Sequence, residues 1–457
     1  MTPILRYLVL LALIPPVVFA QEAVRPDTDP RIERLVSEVS EARLGELVAK
    51  LAAFGTRNTL SDTTSTTRGI GAARQWIFDA LRQSSPRLQV SFDIYRIAKE
   101  GRITRDVELR NVLAILPGRS PRRIYVTAHY DTVNVGNEGQ ISANTRAAGQ
   151  RAADPQLREN QNYDVEAPGA NDNGSGTALT MELARLLAAS GLEFDATIVF
   201  ALWAGEEQGL VGSRAHVQRL SAEKAVVEAA LNNDIVGNSR GGNGVADGES
   251  VRVYSDGPED SMSRAIARYV SRVSPLYVPS HRIRLMSRPD RFGRSSDHVS
   301  FNDHGYPSVV FREANEDFAR QHGAADTAVG VDAGYLARNT RVNAAVVAAL
   351  ALAPARPSVT NEQGQATLGR QPSGYDATLR WNASEGTVAY RIYWREASRN
   401  DWEHSRLVGN LTQFTLPGLS IDDHVFGVAA VGAGGHESLV SVFVQARARR
   451  PEVRLLP

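Results

Sequence analysis

The sequence predicts an α/β domain whose mostly parallel sheet is flanked by helices, followed by a small all-β sandwich. Three observations carry this. Between Arg31 and about Ala353, short apolar runs alternate with longer segments whose apolar residues recur every three or four positions, the pattern of strands joined by helices. After Ala355-Arg356-Pro357 that alternation stops, and short strand-like runs separated by Gly, Asn and Ser turns take over. A chain of 457 residues also has room for two or three domains at about 100–200 residues each.

Taken in order, the chain opens with Arg6, an apolar run from Tyr7 to Phe19, and Val18-Phe19-Ala20 before Gln21-Glu22. These are the parts of a signal peptide over 1–20. The run is too short for a bilayer span, which needs about 20 residues. A secreted or periplasmic, soluble mature chain without a membrane span is the expectation. Helical spacing marks 36–53, 71–84, 176–187, 258–273 and 335–353. Strand candidates are 123–128, 197–203, 229–232 and 308–311. The α/β domain therefore runs over 21–355. Over 357–457, runs such as Ala377-Thr378-Leu379-Arg380-Trp381 and Ala389-Tyr390-Arg391-Ile392-Tyr393-Trp394 predict the sandwich.

Composition narrows the chemistry. Lys plus Arg equals Asp plus Glu at 51 each, for a net charge of +0. That argues against nucleic acid or an anionic membrane held by bulk electrostatics. With no cysteine, disulfides, thiolate nucleophiles and cysteine-ligated metals are excluded, and any metal must sit among His, Asp and Glu.

Four polar clusters stand where predicted strands end: His129-Tyr130-Asp131, Glu206-Glu207, Asp234, and His322 in the loop after Phe311. In an open α/β sheet, ligands bind beyond the carboxyl ends of the strands. Asp172 adds a fifth, in the Gly-rich turn Gly169 to Gly176 that opens a helix. Each alone is commonly a surface pair or a turn former. Glu206-Glu207, directly after the apolar run Ile198 to Trp203, is different, because carboxylates there must be paired or coordinated. By residue type alone, His298, His304 and His322 compete for the last ligand. His216, His281, His404, His424 and His436 read as surface or structural.

Six segments together resemble the M28 family of metallopeptidases, the co-catalytic zinc aminopeptidases. They are Ala128-His129-Tyr130-Asp131-Thr132, Gly169 to Gly176, Gly205 to Ser213, Asn233 to Gly237, Ser296 to Phe301 and His322 to Thr327, in the family's order. The resemblance implies a zinc exopeptidase fold and two divalent ions, zinc foremost, with manganese or cobalt able to substitute. It implies that His129 and Asp234 bind one ion, Glu207 and His322 the other, and that Asp172 bridges them. Glu206 is then the general acid/base, Asp131 the carboxylate orienting His129, and Asp297 a hydrogen-bonding support. It favours His322 over His298, although Gln321 and Gly323 around His322 depart from the family's pattern. The C-terminal segment resembles a fibronectin type III module, for which attachment to a surface or polymer is the expectation; Trp394 and Trp402 there are candidate surface residues.

The implied activity is aminopeptidase action on peptides or proteins. Three alternatives stay open: a mono-zinc glutaminyl cyclase on the same fold, a carboxypeptidase of the M20 type, and a secreted binding protein with a decayed site. The 88 residues between Asp234 and His322 already hold predicted core elements, which leaves little room for an M20 lid domain. The long polar segment 136–168, leading into Asp172, is expected to border the substrate cleft.

Overall fold

The computed structural model describes residues 28–135 and 163–444. The expected signal peptide and most of the 136–168 segment lie outside the described residues.

Two helices, α1 (Pro30–Ser37) and α2 (Glu41–Ala52), stand where one was expected over 36–53. The break is at Ser40, whose side chain accepts the Arg43 N–H at 3.2 Å and caps α2. A capping residue has extended backbone and cannot lie inside a continuous helix. After α3 (Gly69–Ser84) come β1 (Gln89–Ile97), β2 (Val107–Leu116) and β3 (Ser120–His129). Then follow α4 (Gly174–Ala189), β4 (Ala196–Trp203), α5 (Val211–Ala222), β5 (Val227–Asn233) and β6 (Ser250–Ser255). The domain ends with α6 (Met262–Tyr277), β7 (Arg282–Met286), α7 (His298–Asn302), β8 (Ser308–Glu313) and α8 (Ala333–Leu352).

The eight strands form one sheet in the order β1-β2-β4-β3-β5-β8-β6-β7. Its centre, β4-β3-β5-β8, is parallel. The flanks add antiparallel pairs, β1 with β2, β2 with β4, and β6 with β8. Alternate residues of β3 face opposite sides: Ile124, Val126 and Ala128 pack with α4 and α8, whereas Tyr125 packs with Val217 and Leu220 of α5 and with Phe301 of α7. Helices thus cover both faces of the centre, which explains its near-continuous apolar strands.

The C-terminal segment forms two antiparallel sheets. One holds β9 (Leu368–Gly369), β10 (Ala377–Arg380) and β13 (Gln413–Leu416); the other holds β11 (Thr387–Glu396), β12 (His404–Val408), β14 (His424–Gly432) and β15 (Ser441–Val442). Leu379, Trp381, Tyr390, Ile392, Phe426 and Val428 fill the space between. This sandwich is docked on the first domain. Arg395 pairs with Asp260 at 2.5 Å, Arg268 donates to the Asn400 carbonyl at 2.6 Å, and His436 meets Asp29 at 2.9 Å. Trp402 is therefore no open surface residue: Arg268 and Arg395 both lie over its ring.

Candidate metal centre

Because β4, β3 and β5 lie side by side and parallel, the residues leaving their carboxyl ends emerge at one edge. His129 is the last residue of β3, Asp234 follows the last residue of β5, and Glu206-Glu207 follow β4 after Ala204-Gly205. The turn after β4 is tight. A Cβ on Gly212 would come within 2.3 Å of the Ala204 carbonyl, so only glycine fits. Asp172 precedes α4, whose first turn is capped by Asn173 accepting the Gly176 N–H at 3.0 Å. His322 comes from the loop after β8. Of four non-glycine residues with left-handed backbone among those described, three adjoin this edge: Leu210, Ile235 and His322 itself. Such strain persists where the surroundings over-determine it, often at functional sites.

The five predicted ligands converge. His129 Nε2 lies 3.4 Å from Asp172 Oδ1 and 3.6 Å from Asp234 Oδ1. His322 Nε2 lies 3.1 Å from Asp172 Oδ2 and 3.4 Å from Glu207 Oε2. Glu206 Oε2 stands 4.0 Å from His129 Nε2. Two donor groups, His129-Asp172-Glu207 and His129-Glu206-Asp234, each have their ligand atoms within 4.8 Å of one another. The competing histidines are elsewhere: His298 Nε2 is 2.9 Å from the Pro289 carbonyl, and His304 Nδ1 is 3.0 Å from the Ser300 carbonyl. His216 and His281 are buried and bonded to Asp93 and Asn339.

A second ring of contacts fixes these groups. Asp131 accepts the main-chain N–H of both Glu206 and Glu207 at 3.2 Å, and its carboxylate lies 3.6 Å from His129 Nδ1. Asp326 accepts the N–H of Asn171 at 2.9 Å and of Asp172 at 2.8 Å. Ser296 and Arg312 both hold Asp234 Oδ2. Arg57, fully buried, ties the strand end at Tyr130 to the turn at Pro168 and Gly169. Sequence reasoning gave no role to Arg57, Ser296 or Arg312. Only Arg312 carried a usable signal, a charge closing the apolar strand β8.

The electrostatics are those of a crowded anionic pocket. Burial, with neighbouring carboxylates adding to it, pushes Glu206 and Glu207 well above the usual carboxylate range. Burial alone would lower His129, yet Glu206, Asp131, Asp172 and Asp234 together hold it well above its ordinary value. Asp172 is held well below its usual range in spite of burial, by His129 and His322. Burial raises Asp297, near Glu206, to about 7.

These residues fit a cation. His129 Nε2, Glu207 Oε1 and Asp234 Oδ1 are buried and have no hydrogen-bond partner among the described residues. Unpaired buried polar atoms are costly, and oxygens and imidazole nitrogens converging in this way suit zinc.

Comparison with known proteins agrees. The profile of peptidase family M28 matches residues 111–347. The chain belongs to peptidase family M28. A protein of Pyricularia oryzae named a probable zinc metalloprotease is 36% identical over 90% of this chain and 84% of its own. One of Pyrenophora teres f. teres with the same name is 34% identical over 93% and 89%. Among solved structures, the LapA aminopeptidase of Legionella pneumophila superposes with a TM-score of 0.53 at 20% identity, covering 72% of this chain and 76% of that one. An aminopeptidase from Aneurinibacillus sp. strain AM-1 gives 0.50 at 14% identity, covering 69% and 95%. Those likenesses show the fold. This M28 enzyme is a zinc metallopeptidase, with peptides or proteins as its substrates.

Proposed function

We propose that this M28 enzyme is a secreted di-zinc aminopeptidase that hydrolyses N-terminal peptide bonds, with Glu206 as general acid/base. The observation that carries this reading is Asp172, whose two oxygens face two different imidazoles at 3.4 and 3.1 Å. A carboxylate so placed suits a bridge between two ions. In this reading His129 and Asp234 hold one ion, Glu207 and His322 the other, and Asp172 both. Bound there, the ions supply Lewis acidity and lower the pKa of water from ~15.7 toward ~7.

The chain's own residues divide the remaining work. Asp131 orients His129 and anchors the backbone of both glutamates, fixing where each carboxylate points. Glu207 faces His322, while Glu206 is the more exposed of the two, 12% against 6%. Glu206 removes a proton from the attacking water and returns it to the departing amine. Its raised affinity for a proton suits a group that must both take and give one.

Aminopeptidase is also the activity named for the Legionella and Aneurinibacillus proteins. Secretion rests on the signal-like segment 1–20, and no helix among the described residues is long and apolar enough to cross a membrane. The segment 136–168 borders the cleft in this reading: its described end packs Tyr163 against Thr104 and Arg105 and then runs through Pro168 into the Asp172 turn. The fibronectin type III-like sandwich serves as an attachment module.

The test combines elemental analysis with free aminoacyl amides, N-blocked peptides and a glutaminyl peptide. Two zinc per chain and a strict need for a free N-terminus are expected. Equal cleavage of blocked peptides would reject aminopeptidase action. One zinc with cyclisation of the glutaminyl peptide would establish the cyclase instead.

A further inference from the structure

The two histidines look alike in this centre, but the acids beside them do not. Asp234 Oδ2 accepts the Ser296 hydroxyl at 2.5 Å and faces Arg312 Nη1 at 2.9 Å, and the same nitrogen reaches the Asp234 carbonyl at 3.2 Å. Only Oδ1, without a hydrogen-bond partner, is turned toward His129. Arg312 is fully buried and also pairs with Asp290 at 2.9 Å. Around it, Arg252, Arg291 and Arg294 gather on Glu316. Four guanidinium groups therefore face two acids besides Asp234, and the side of the pocket behind Asp234 is net cationic.

Glu207 has no such partner. Its Oε2 lies 3.4 Å from His322 Nε2, its Oε1 has no hydrogen-bond partner, and no arginine or lysine pairs with its carboxylate among the described residues. Arg102 reaches its main-chain carbonyl, at 2.7 Å. A carboxylate that already shares its charge with a guanidinium is the weaker donor to a metal. A unit positive charge roughly 5 Å from an ion opposes binding by more than tenfold even at an effective dielectric constant of about 20.

We propose that the two metal positions are unequal by construction. The position at His129 and Asp234, with Arg312 behind it, binds its ion about 10–100-fold more weakly than the position at Glu207 and His322, the range over which outer contacts tune metal ligands. Arg312 is thus a tuning residue that keeps one ion exchangeable. This rests on the di-zinc reading above.

The test is calorimetric titration of the metal-free full-length enzyme with zinc, with elemental content measured in parallel. Two constants separated by about 10–100-fold are expected. In Arg312→Gln/Asp290→Asn, which removes opposite charges together, the weaker constant tightens at least tenfold and the stronger one stays within about threefold. Two equal wild-type constants, or a double variant that leaves the gap intact, would overturn the inference while leaving the di-zinc reading standing. Saturation at one ion per chain would overturn both. Should the double variant not fold, His322→Ala decides: its remaining ion must bind with the weaker wild-type constant, and binding with the stronger one overturns the inference.

Discussion

Replacing Arg57 by methionine removes a fully buried guanidinium that pairs with no carboxylate among the described residues. Its N–H groups go instead to main-chain carbonyls: Tyr130 at 2.6 Å, Leu51 at 2.9 Å, Pro168 at 2.6 Å and Gly169 at 2.9 Å. Leu51 and Gly169 keep a second donor, from the N–H of Phe54 and of Gly174. The carbonyls of Tyr130 and Pro168 would be left unpaired, at about 1–3 kcal/mol each. Relief from burying a cation offsets part of the lost charged hydrogen bonds. The balance is a destabilisation of about 2–5 kcal/mol, or roughly 4–12 °C in Tm for a domain of this size. The loosened segments are those that carry His129, Asp131 and Asp172, so zinc affinity should fall about 10–100-fold as well. Thermal melts with and without zinc, and metal content after dialysis against a weak chelator, measure both. Arg57→Lys keeps the charge and three donors and should recover about half of each loss. A methionine variant that melts within about 1 °C of the parent and keeps its zinc would refute the argument.

Three other outcomes are expected. Glu206→Gln should lose about 10²–10⁴-fold in kcat while keeping its zinc; loss of metal in step with activity would reassign Glu206 as a ligand. Burial alone would raise Glu316, but Arg291, Arg294, Arg312 and Arg252 hold it far below the usual range. Its stabilising effect is therefore full above the unfolded value of about 4.3 and is lost as pH falls below it. Glu316→Gln should lower the urea midpoint clearly at pH 7 and much less at pH 3, and equal losses at both would exclude this ion-pair account. Ending the chain at Ala355 removes the partners of Arg268, Arg272 and Asp260. At about 3 kcal/mol for each buried pair broken, the truncated protein should melt several degrees lower; an unchanged Tm would make the sandwich a freely separable attachment.

The sheet's centre was legible because β3, β4, β5 and β8 are buried on both faces and read as apolar runs. Its flanks were not. Strand β1 alternates, with Val90, Phe92 and Ile94 set among Ser91, Asp93 and Tyr95, and a hairpin edge of this kind resembles many loops that happen to alternate. Strands β6 and β7 carry Arg252, Arg282 and Arg284, whose stems cover apolar surface while their heads reach water or acids. The break between α1 and α2 turned on one capping serine, because the apolar spacing runs on through it.

The centre itself was legible through a single rule: a charge that closes a doubly buried strand must be answered by something. At β4 the rule found Glu206 and Glu207. At β8 it applies equally to Arg312 and Glu313, which close a strand buried along its whole length, and there it was not used. The two cases separate only when donors are counted. Arg312 is answered within the protein by Asp234 and Asp290, and Glu313 Oε2 by Asn171 and the Asn238 N–H. Glu207 Oε1, Asp234 Oδ1 and His129 Nε2 are answered by no protein donor among the described residues. The same pattern of charge after apolar strand thus builds a structural ion pair at one strand end and a cation site two strands away. Because Arg312 reaches Asp234, the structural pair also sets how strongly that site can bind.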